Sequence, residues 1–416
     1  MTRRHATMLH DPSRHEALQP IPWNAVAARA QIERIVGDTE ERFSAQGSWP
    51  MHPRDADDGD LRPVPPLYFG ATGVIWALHH LQDIGAATLR RSYADCVDTL
   101  LALNAAWRQG WEQDESASYL MGDTGVLMLA QRLRPTAQAA DRLEQLIAGN
   151  LDNPTRELMW GSPGTMLAAL FLSQHTGEAR WADLFRRSAR RLWSQRLWSQ
   201  EHACHYWSQD MYGTQGSYLD ALHGFAATAS VLIQGRDLLD EGEWTAWQAC
   251  IANTIRHSAT WDGAHASWRA WLLVAEGDEP RMLMQFCHGA PGFVVCLGDW
   301  PGNELDDLLI AAGEATWAAG PLSKGSNLCH GTGGNGYAFL KLYRRTGDPL
   351  WLARARAFAM HGIAQTQADA AQFGQLRYSL WTGDIGFAIY LWDCIHGGAA
   401  FPTLDVFFAS QDTRST

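Results

Sequence analysis

Two short segments concentrate residue types that bind metals and activate thiols: Cys287-His288-Gly289-Ala290-Pro291-Gly292 and Cys329-His330-Gly331-Thr332-Gly333-Gly334. Each sets a Cys-His pair directly before a Gly-x-x-Gly turn and an apolar run. Thiolate and imidazole are donors that zinc prefers. Repetition of one local design points to a single metal site assembled from two equivalent loops. Three ligands, Cys287, Cys329 and His330, would leave a fourth coordination position open, the layout of a catalytic zinc. His288 is the rival ligand, because it follows Cys287 as His330 follows Cys329. A thiol entering the open position would lose its proton. A free thiol is only about 3% ionised at pH 7, so ionisation alone offers about a 30-fold gain. Orientation and proton delivery must supply the rest. His223, in Leu222-His223-Gly224, stands at the equivalent place before another turn, without a cysteine beside it. An imidazole there could serve as general acid or base.

The elements that must position these groups recur along the chain. Gly-x-x-Gly turns start at Gly70, Gly122, Gly161, Gly289, Gly331 and Gly383, and a weaker copy, Gly224-Phe225-Ala226-Ala227, makes seven. The spacing is irregular, about 50 residues, which fits similar units with variable loops. After the first turn, Val74, Ala77, Leu78 and Leu81 repeat at helical spacing. Thr165 to Leu172 is apolar nearly all round, as a fully buried helix is. The following segment is amphipathic, with Trp181, Leu184, Phe185 and Leu192 on one stripe and Arg186, Arg187, Arg190 and Arg191 on the rest. A unit of turn, buried helix, turn and amphipathic helix, repeated seven times, predicts an all-α protein: an α/α toroid with seven inner helices inside seven outer ones. Its glycines let the backbone reverse and let inner helices approach closely. The inner-helix N-termini would gather at one mouth, where unpaired N–H groups and helix dipoles favour anions. Residues 1–64 read as an N-terminal extension packed on the toroid, with one helix from Trp23 to about Phe43 and an acidic loop over 52–60. Residues 65–410 read as the toroid, and the tail from Ser410 as frayed.

Bulk properties limit the function classes. The 416 residues carry a net charge of −12, which excludes nucleic acid as the main partner. No apolar stretch is long enough for a transmembrane segment, and the N-terminus does not predict a secretory signal. Seven cysteines form no disulfide framework and fit a reducing, cytoplasmic compartment. Lysine occurs only at 324 and 341, which makes Lys324, five before Cys329, conspicuous.

The motifs resemble the lanthionine synthetase C-like family. The likeness runs through Cys287–Gly292, Asn327-Leu328-Cys329-His330-Gly331-Thr332-Gly333-Gly334-Asn335-Gly336, Tyr119-Leu120-Met121-Gly122, Glu157-Leu158-Met159-Trp160-Gly161, Tyr378-Ser379-Leu380-Trp381-Thr382-Gly383 and Phe401-Pro402. It spans about residues 65 to 405. The resemblance implies Zn2+ on Cys287, Cys329 and His330, and Michaelis addition of a thiol to dehydroalanine or dehydrobutyrine residues of a peptide or protein. The thiol is that of glutathione in the eukaryote-like branch and of a peptide cysteine in the peptide cyclases. His223 matches the histidine that moves the proton. Lys324 and Glu157 match substrate-binding positions of the glutathione-binding branch. Leu283, Arg281 and Phe286 depart from the cyclase pattern before Cys287, and His288 points to the eukaryote-like branch. The expectation is therefore a zinc-dependent enzyme forming glutathione thioethers. The alternatives are a lanthionine-forming cyclase of a dedicated precursor, a non-catalytic zinc and glutathione binding module, and a toroid glycosidase using Asp123, Glu157 and Asp384.

Overall fold

The computed structural model describes residues 8–44, 48–55, 64–109, 116–274 and 282–409. Each glycine turn opens a helix, and its first glycine (Gly70, Gly122, Gly161, Gly224, Gly289, Gly331, Gly383) is the N-cap. Glycine offers no side chain to the first-turn N–H groups, which an α-helix leaves without internal partners. The preceding loop supplies the partners instead, by folding back over the helix end. Thr332, Gly333 and Gly334 donate to the carbonyls of Gly325, Ser326 and Asn327 at 2.9, 3.0 and 3.2 Å. Phe225, Ala226 and Ala227 likewise donate to Tyr218, Leu219 and Asp220. This corrects one expectation in part: at the helices that start at Ala71, Phe225 and Thr332 the first N–H groups are taken by loop carbonyls, and the N–H of Ala290 is taken by Ser267 Oγ, so they are not left for anions. The same crowding explains the second glycine. A Cβ on Gly334 would stand 1.8 Å from the Leu328 carbonyl oxygen, and one on Gly292 would stand 1.9 Å from that of Phe286.

Fourteen α-helices occur among the described residues: α1 (Ala25–Glu41), α2 (Ala71–Asp83), α3 (Val97–Trp107), α4 (Asp123–Leu133), α5 (Ala137–Gly149), α6 (Ser162–Thr176), α7 (Ala179–Ser194), α8 (Phe225–Gln234), α9 (Glu241–Ser258), α10 (Ala290–Leu297), α11 (Asp306–Ala319), α12 (Thr332–Thr346), α13 (Pro349–Phe373) and α14 (Asp384–His396). The seven glycine-capped helices contact one another in sequence, α2 to α4 and onward to α14, and α14 returns to α2. They form a closed inner ring. The other seven lie outside it, so the chain is the expected α/α toroid. α6 is buried from Ser162 to Leu172, while α7 buries Trp181, Leu184, Phe185 and Leu192 and leaves its arginine face to solvent. The outer place beside α14 is filled by α1, which also touches α13. Asn24 caps α1 by accepting from the N–H of Val26 and Ala27. From residue 56 to 63 the expected acidic loop lies outside the described residues, as does the tail from 410. No described helix is long and apolar enough to cross a membrane.

Two long outer-to-inner connections carry hairpins that helical periodicity did not predict. Between α7 and α8 stand β1 (Leu197–Ser199) with β2 (Cys204–Tyr206) and β3 (Gln209–Met211) with β4 (Thr214–Gly216). Between α9 and α10 stand β5 (Ala259–Asp262) and β6 (His265–Trp268). Such connections end at inner-helix N-termini, so the hairpins border the mouth.

A ring of seven helices leaves an axial hole, and residues 399–408 fill it. Trp76 Nε1 donates to the Phe407 carbonyl, Tyr119 Oη to that of Thr403 and Gln234 Nε2 to that of Leu404. Lys341, 2% exposed, clasps Asp405 at 2.9 Å and Asp299 at 2.6 Å. Phe401 stacks on Phe286 with ring centroids 4.3 Å apart. Phe401→Ala would leave a void on the axis. We expect a loss of about 3–5 kcal/mol of stability, seen as a lower midpoint in urea unfolding followed by circular dichroism.

Candidate functional site

Backbone hydrogen bonds tie the mouth loops together. The N–H of Cys287 donates to the Cys329 carbonyl (3.0 Å), that of Cys329 to Trp381 (2.8 Å), that of Trp381 to Tyr68 (3.0 Å) and that of Tyr68 to Leu120 (3.0 Å). Every residue in this chain stands two before the first glycine of its turn. Equivalent positions therefore converge, and they bring Cys287 beside Cys329. Sγ of Cys287, Sγ of Cys329 and a ring nitrogen of His330 lie within 4.8 Å of one another, and this is the one such group among the described residues.

The surroundings fit a metal held by thiolates. Tyr68 Oη donates to Cys329 Sγ at 2.8 Å, and Gln285 Nε2 to Cys287 Sγ at 2.9 Å. Such donors stabilise sulfur that carries negative charge. Burial, then the neighbouring Cys329, pushes the Cys287 thiol up. A divalent ion on that sulfur would reverse the balance. Burial, then the charges of Arg377 and Lys324, holds His330 down at about 3, so its ring is neutral, the form that ligates. Asn327 fixes the His330 turn, its Oδ1 accepting the His330 N–H at 3.0 Å. His288, the rival ligand, is outside this group. Its Nδ1 lies 2.8 Å from Asp220 Oδ2, close enough for an ion pair though not aligned as a hydrogen bond.

His223 Nδ1 lies 2.9 Å from Glu157 Oε2. Burial opposes charge on this ring, but the bond to Glu157 and the Glu157 and Asp220 charges outweigh it and raise the pKa. With Nδ1 committed to Glu157, Nε2 is the nitrogen left for chemistry. Glu157 itself is 0% exposed, and its oxygens also accept the N–H of Met159 (2.8 Å) and Trp160 (2.6 Å). The carboxylate expected to touch substrate is therefore buried and holds the histidine. Lys324 is exposed on the His330 loop. Of the glycosidase candidates, Asp123 pairs with Arg108 and Asn104, and Asp384 accepts from Ser326, Thr366 and the Arg377 N–H. Arg281 lies outside the described residues.

Besides Tyr68, three contributors escaped sequence reasoning: Asp220, Gln285 and Arg14. Asp220 Oδ1 accepts the N–H of Leu222 and of His223, at 2.9 and 2.6 Å. Gln285 joins Cys287 to Arg14, whose Nη2 donates to Gln285 Oε1 at 3.0 Å. Arg14 arrives from the N-terminal segment, which pairs with the 321–323 loop through Glu16 N–H to Pro321 and Ser323 N–H to Arg14. A signal for two of them was present. Four residues before each first glycine stand Ser118, Glu157, Asp220, Gln285, Asn327 and Ser379, with Pro66 at the first turn. Polar side chains there fold onto their own turns, as Ser118 does with Met121 and Asn327 with His330.

Residues 65–406 match the family described as lanthionine synthetase C-like protein. Among curated relatives, the "Glutathione S-transferase LANCL1" of Danio rerio is 26% identical over 360 residues, covering 82% of this chain and 84% of the relative. The "LanC-like protein GCL1" of Arabidopsis thaliana is 30% identical over 246 residues, 57% of this chain and 54% of that protein. Among solved structures, nisin cyclase superimposes with a TM-score of 0.56 at 14% identity, covering 90% of this chain and 95% of its own, so it shares the fold. With the toroid, the Cys-His turns and a family match over most of its length, this chain belongs to the lanthionine synthetase C-like family.

Proposed function

We propose that this protein is a zinc-dependent enzyme that adds the thiol of glutathione to dehydroalanine or dehydrobutyrine residues of a peptide or protein. One observation carries the reading. Three zinc-type donors within 4.8 Å share a mouth with a histidine anchored on a buried carboxylate. The name of the Danio rerio relative, a glutathione S-transferase, supports glutathione as the thiol. Seven free cysteines fit a reducing compartment, which we take to be the cytoplasm.

Cys287, Cys329 and His330 would hold the zinc, which when bound supplies a position for sulfur and lowers the pKa of a thiol there. The chain's own groups do the rest. Tyr68 and Gln285 hold the cysteine sulfurs in place. Lys324, with Arg14 and Arg377 nearby, places positive charge beside His330, which suits the carboxylates of glutathione. In the addition, the thiol gives its proton to solvent and its sulfur bonds to the β-carbon. The π pair of the double bond moves toward the α-carbon and its carbonyl. Protonated His223, with Nδ1 on Glu157, delivers a proton from Nε2 to the α-carbon and is recharged from solvent. Glu157 keeps the ring oriented and charged for that delivery.

Purified protein, zinc, glutathione and a dehydroalanine peptide should yield a peptide heavier by one glutathione in a mass spectrum; no adduct with zinc present overturns the reading. Zinc should be stoichiometric by elemental analysis in the wild type and lost in Cys329→Ser. His223→Ala should retain zinc while adduct formation slows by about 10²–10⁴-fold. Glu157→Gln removes the largest of the influences that raise the His223 pKa and leaves the burial that lowers it, with the Asp220 charge still opposing. The alkaline fall of kcat/KM should then move to lower pH by about 1–2 units, and an unmoved profile would show that Glu157 does not set the proton donor.

A further inference from the structure

The two sides of the mouth differ in chemistry. Around the ring, the Cys287 turn lies between the turn that carries Cys329 and His330 and the turn that carries His223. The charges that act on His330 are those of Arg377, Lys324 and Arg14, opposed by Asp55, which pairs with Arg377, and the cations prevail. Beside His223 stand aromatic rings: Tyr218 at 5.7 Å between centroids and Tyr212 at 6.5 Å. Trp271 packs on Tyr218 at 5.4 Å, and Trp160 Nε1 donates to Tyr212 Oη at 2.9 Å. Gly216 makes room for this arrangement, since a Cβ there would stand 2.6 Å from the Tyr218 ring.

Tyr212 is the anomaly in this set. It forms, with Gly213, the two-residue turn between β3 and β4, where Met211 pairs with Thr214. Both turn residues have left-handed φ, +52° at Tyr212 and +74° at Gly213. A two-residue turn of this hand suits Asn-Gly or Asp-Gly and disfavours a bulky side chain. Tyr212 is nevertheless there and 72% exposed. Strained positions held in place beside a reactive group are a mark of function. A large exposed ring is also what a peptide contact needs, because aromatic side chains supply contact area at low entropic cost.

We propose that β3–β4 and the Tyr218–Trp271 pair form the acceptor-binding wall of the mouth, with Tyr212 stacking on the polypeptide segment that flanks the dehydroamino acid. The inference rests on the thiol-addition reading. His223 must reach the α-carbon of the acceptor, so the residues beside that carbon lie on the His223 side, against rings rather than against cations. The wall therefore selects acceptors with an aromatic or large apolar residue next to the dehydroamino acid, while the cationic side receives the anionic thiol.

The test uses two dehydroalanine peptides of equal length and charge, one with Phe and one with Ser beside the dehydroalanine, and Tyr212→Asn. Asparagine accepts left-handed φ, so the hairpin is retained while the ring is lost; a thermal melt followed by circular dichroism checks this. The wild type should prefer the Phe peptide in kcat/KM, and Tyr212→Asn should lose about tenfold of that preference, with the KM for glutathione changed less than twofold. Equal treatment of both peptides by the wild type, or an equal loss on both in the variant, overturns the proposal. Fluorescence anisotropy of the labelled peptides, without glutathione, separates this proposal from the reaction itself. If no adduct forms, the thiol-addition reading falls. Tighter binding of the Phe peptide, lost in Tyr212→Asn, then still upholds the wall, and equal binding of both peptides refutes it.

Discussion

The bonds on which this molecule depends run, at five of the seven inner helices, from the first N–H group to the carbonyl seven residues earlier. They appear at Ala71 to Val64, Asp123 to Ser116, Phe225 to Tyr218, Thr332 to Gly325 and Asp384 to Arg377. Because the loop is pressed against the helix end, glycine is required where a Cβ would strike a carbonyl, as at Gly334. Once a loop is clamped this way, its last two side chains before the glycine have little freedom. The position two before the glycine carries the loop-to-loop bonds, and at the fifth and sixth turns it carries Cys287 and Cys329. At the first turn it carries Tyr68, whose hydroxyl reaches Cys329. The next position carries His223, His288 and His330. One backbone device, repeated, thus delivers donors from distant parts of the sequence to the same few ångströms.

Given that scaffold, side-chain chemistry alone makes the three histidines different. Burial disfavours charge on each. At His330 the neighbours that matter are Arg377 and Lys324, which add to burial and keep the ring neutral. At His223 they are Glu157 and Asp220, which overcome burial and favour the imidazolium. Divergent environments for like groups let one site hold a neutral imidazole and a protonated one from the same residue type. His288 faces Asp220, whose other oxygen holds the backbone of His223. The acidic balance of the whole chain does not describe the surroundings of His330, where the charges of Arg377, Lys324 and Arg14 outweigh that of Asp55.

Much of this was legible in the sequence. The glycine turns and the 3.6-residue periodicity after them fix both rings, and the Cys-His pairs name the donor set. What escaped was of four kinds. Side chains that act through the backbone, such as Asp220, are illegible unless the turn they fold onto is recognised, although their fixed place four before the glycine is a signal. Contacts across the chain, such as Arg14 to Gln285, have no local pattern, since about 270 residues separate the partners. Burial leaves no local signature: Glu157 reads as an acid at a mouth, and the fold encloses its carboxylate against Met159, Trp160 and His223. The hairpins were missed because three- and four-residue strands are too short for alternation to register.

The same construction separates the Cys287, Cys329 and His330 group, a candidate metal site, from the folding of the domain. Structural zinc sites often supply much of the folding energy of small domains, whose loops have little else to hold them. Here the turns at Leu120, Met159 and Leu222 lack cysteine yet take part in the same loop-to-loop bonding as those at 287 and 329. The axis is filled by residues 399–408 and pinned by Trp76, Tyr119, Gln234 and Lys341, none of which belongs to the ligand group. The loops are thus fixed by interactions that need no ion. A metal bound by Cys287, Cys329 and His330 would meet donors already within reach of one another, so little of its binding free energy would be consumed in ordering the chain. That arrangement suits an ion whose coordination must change during turnover, because a ligand can enter or leave without loosening the fold.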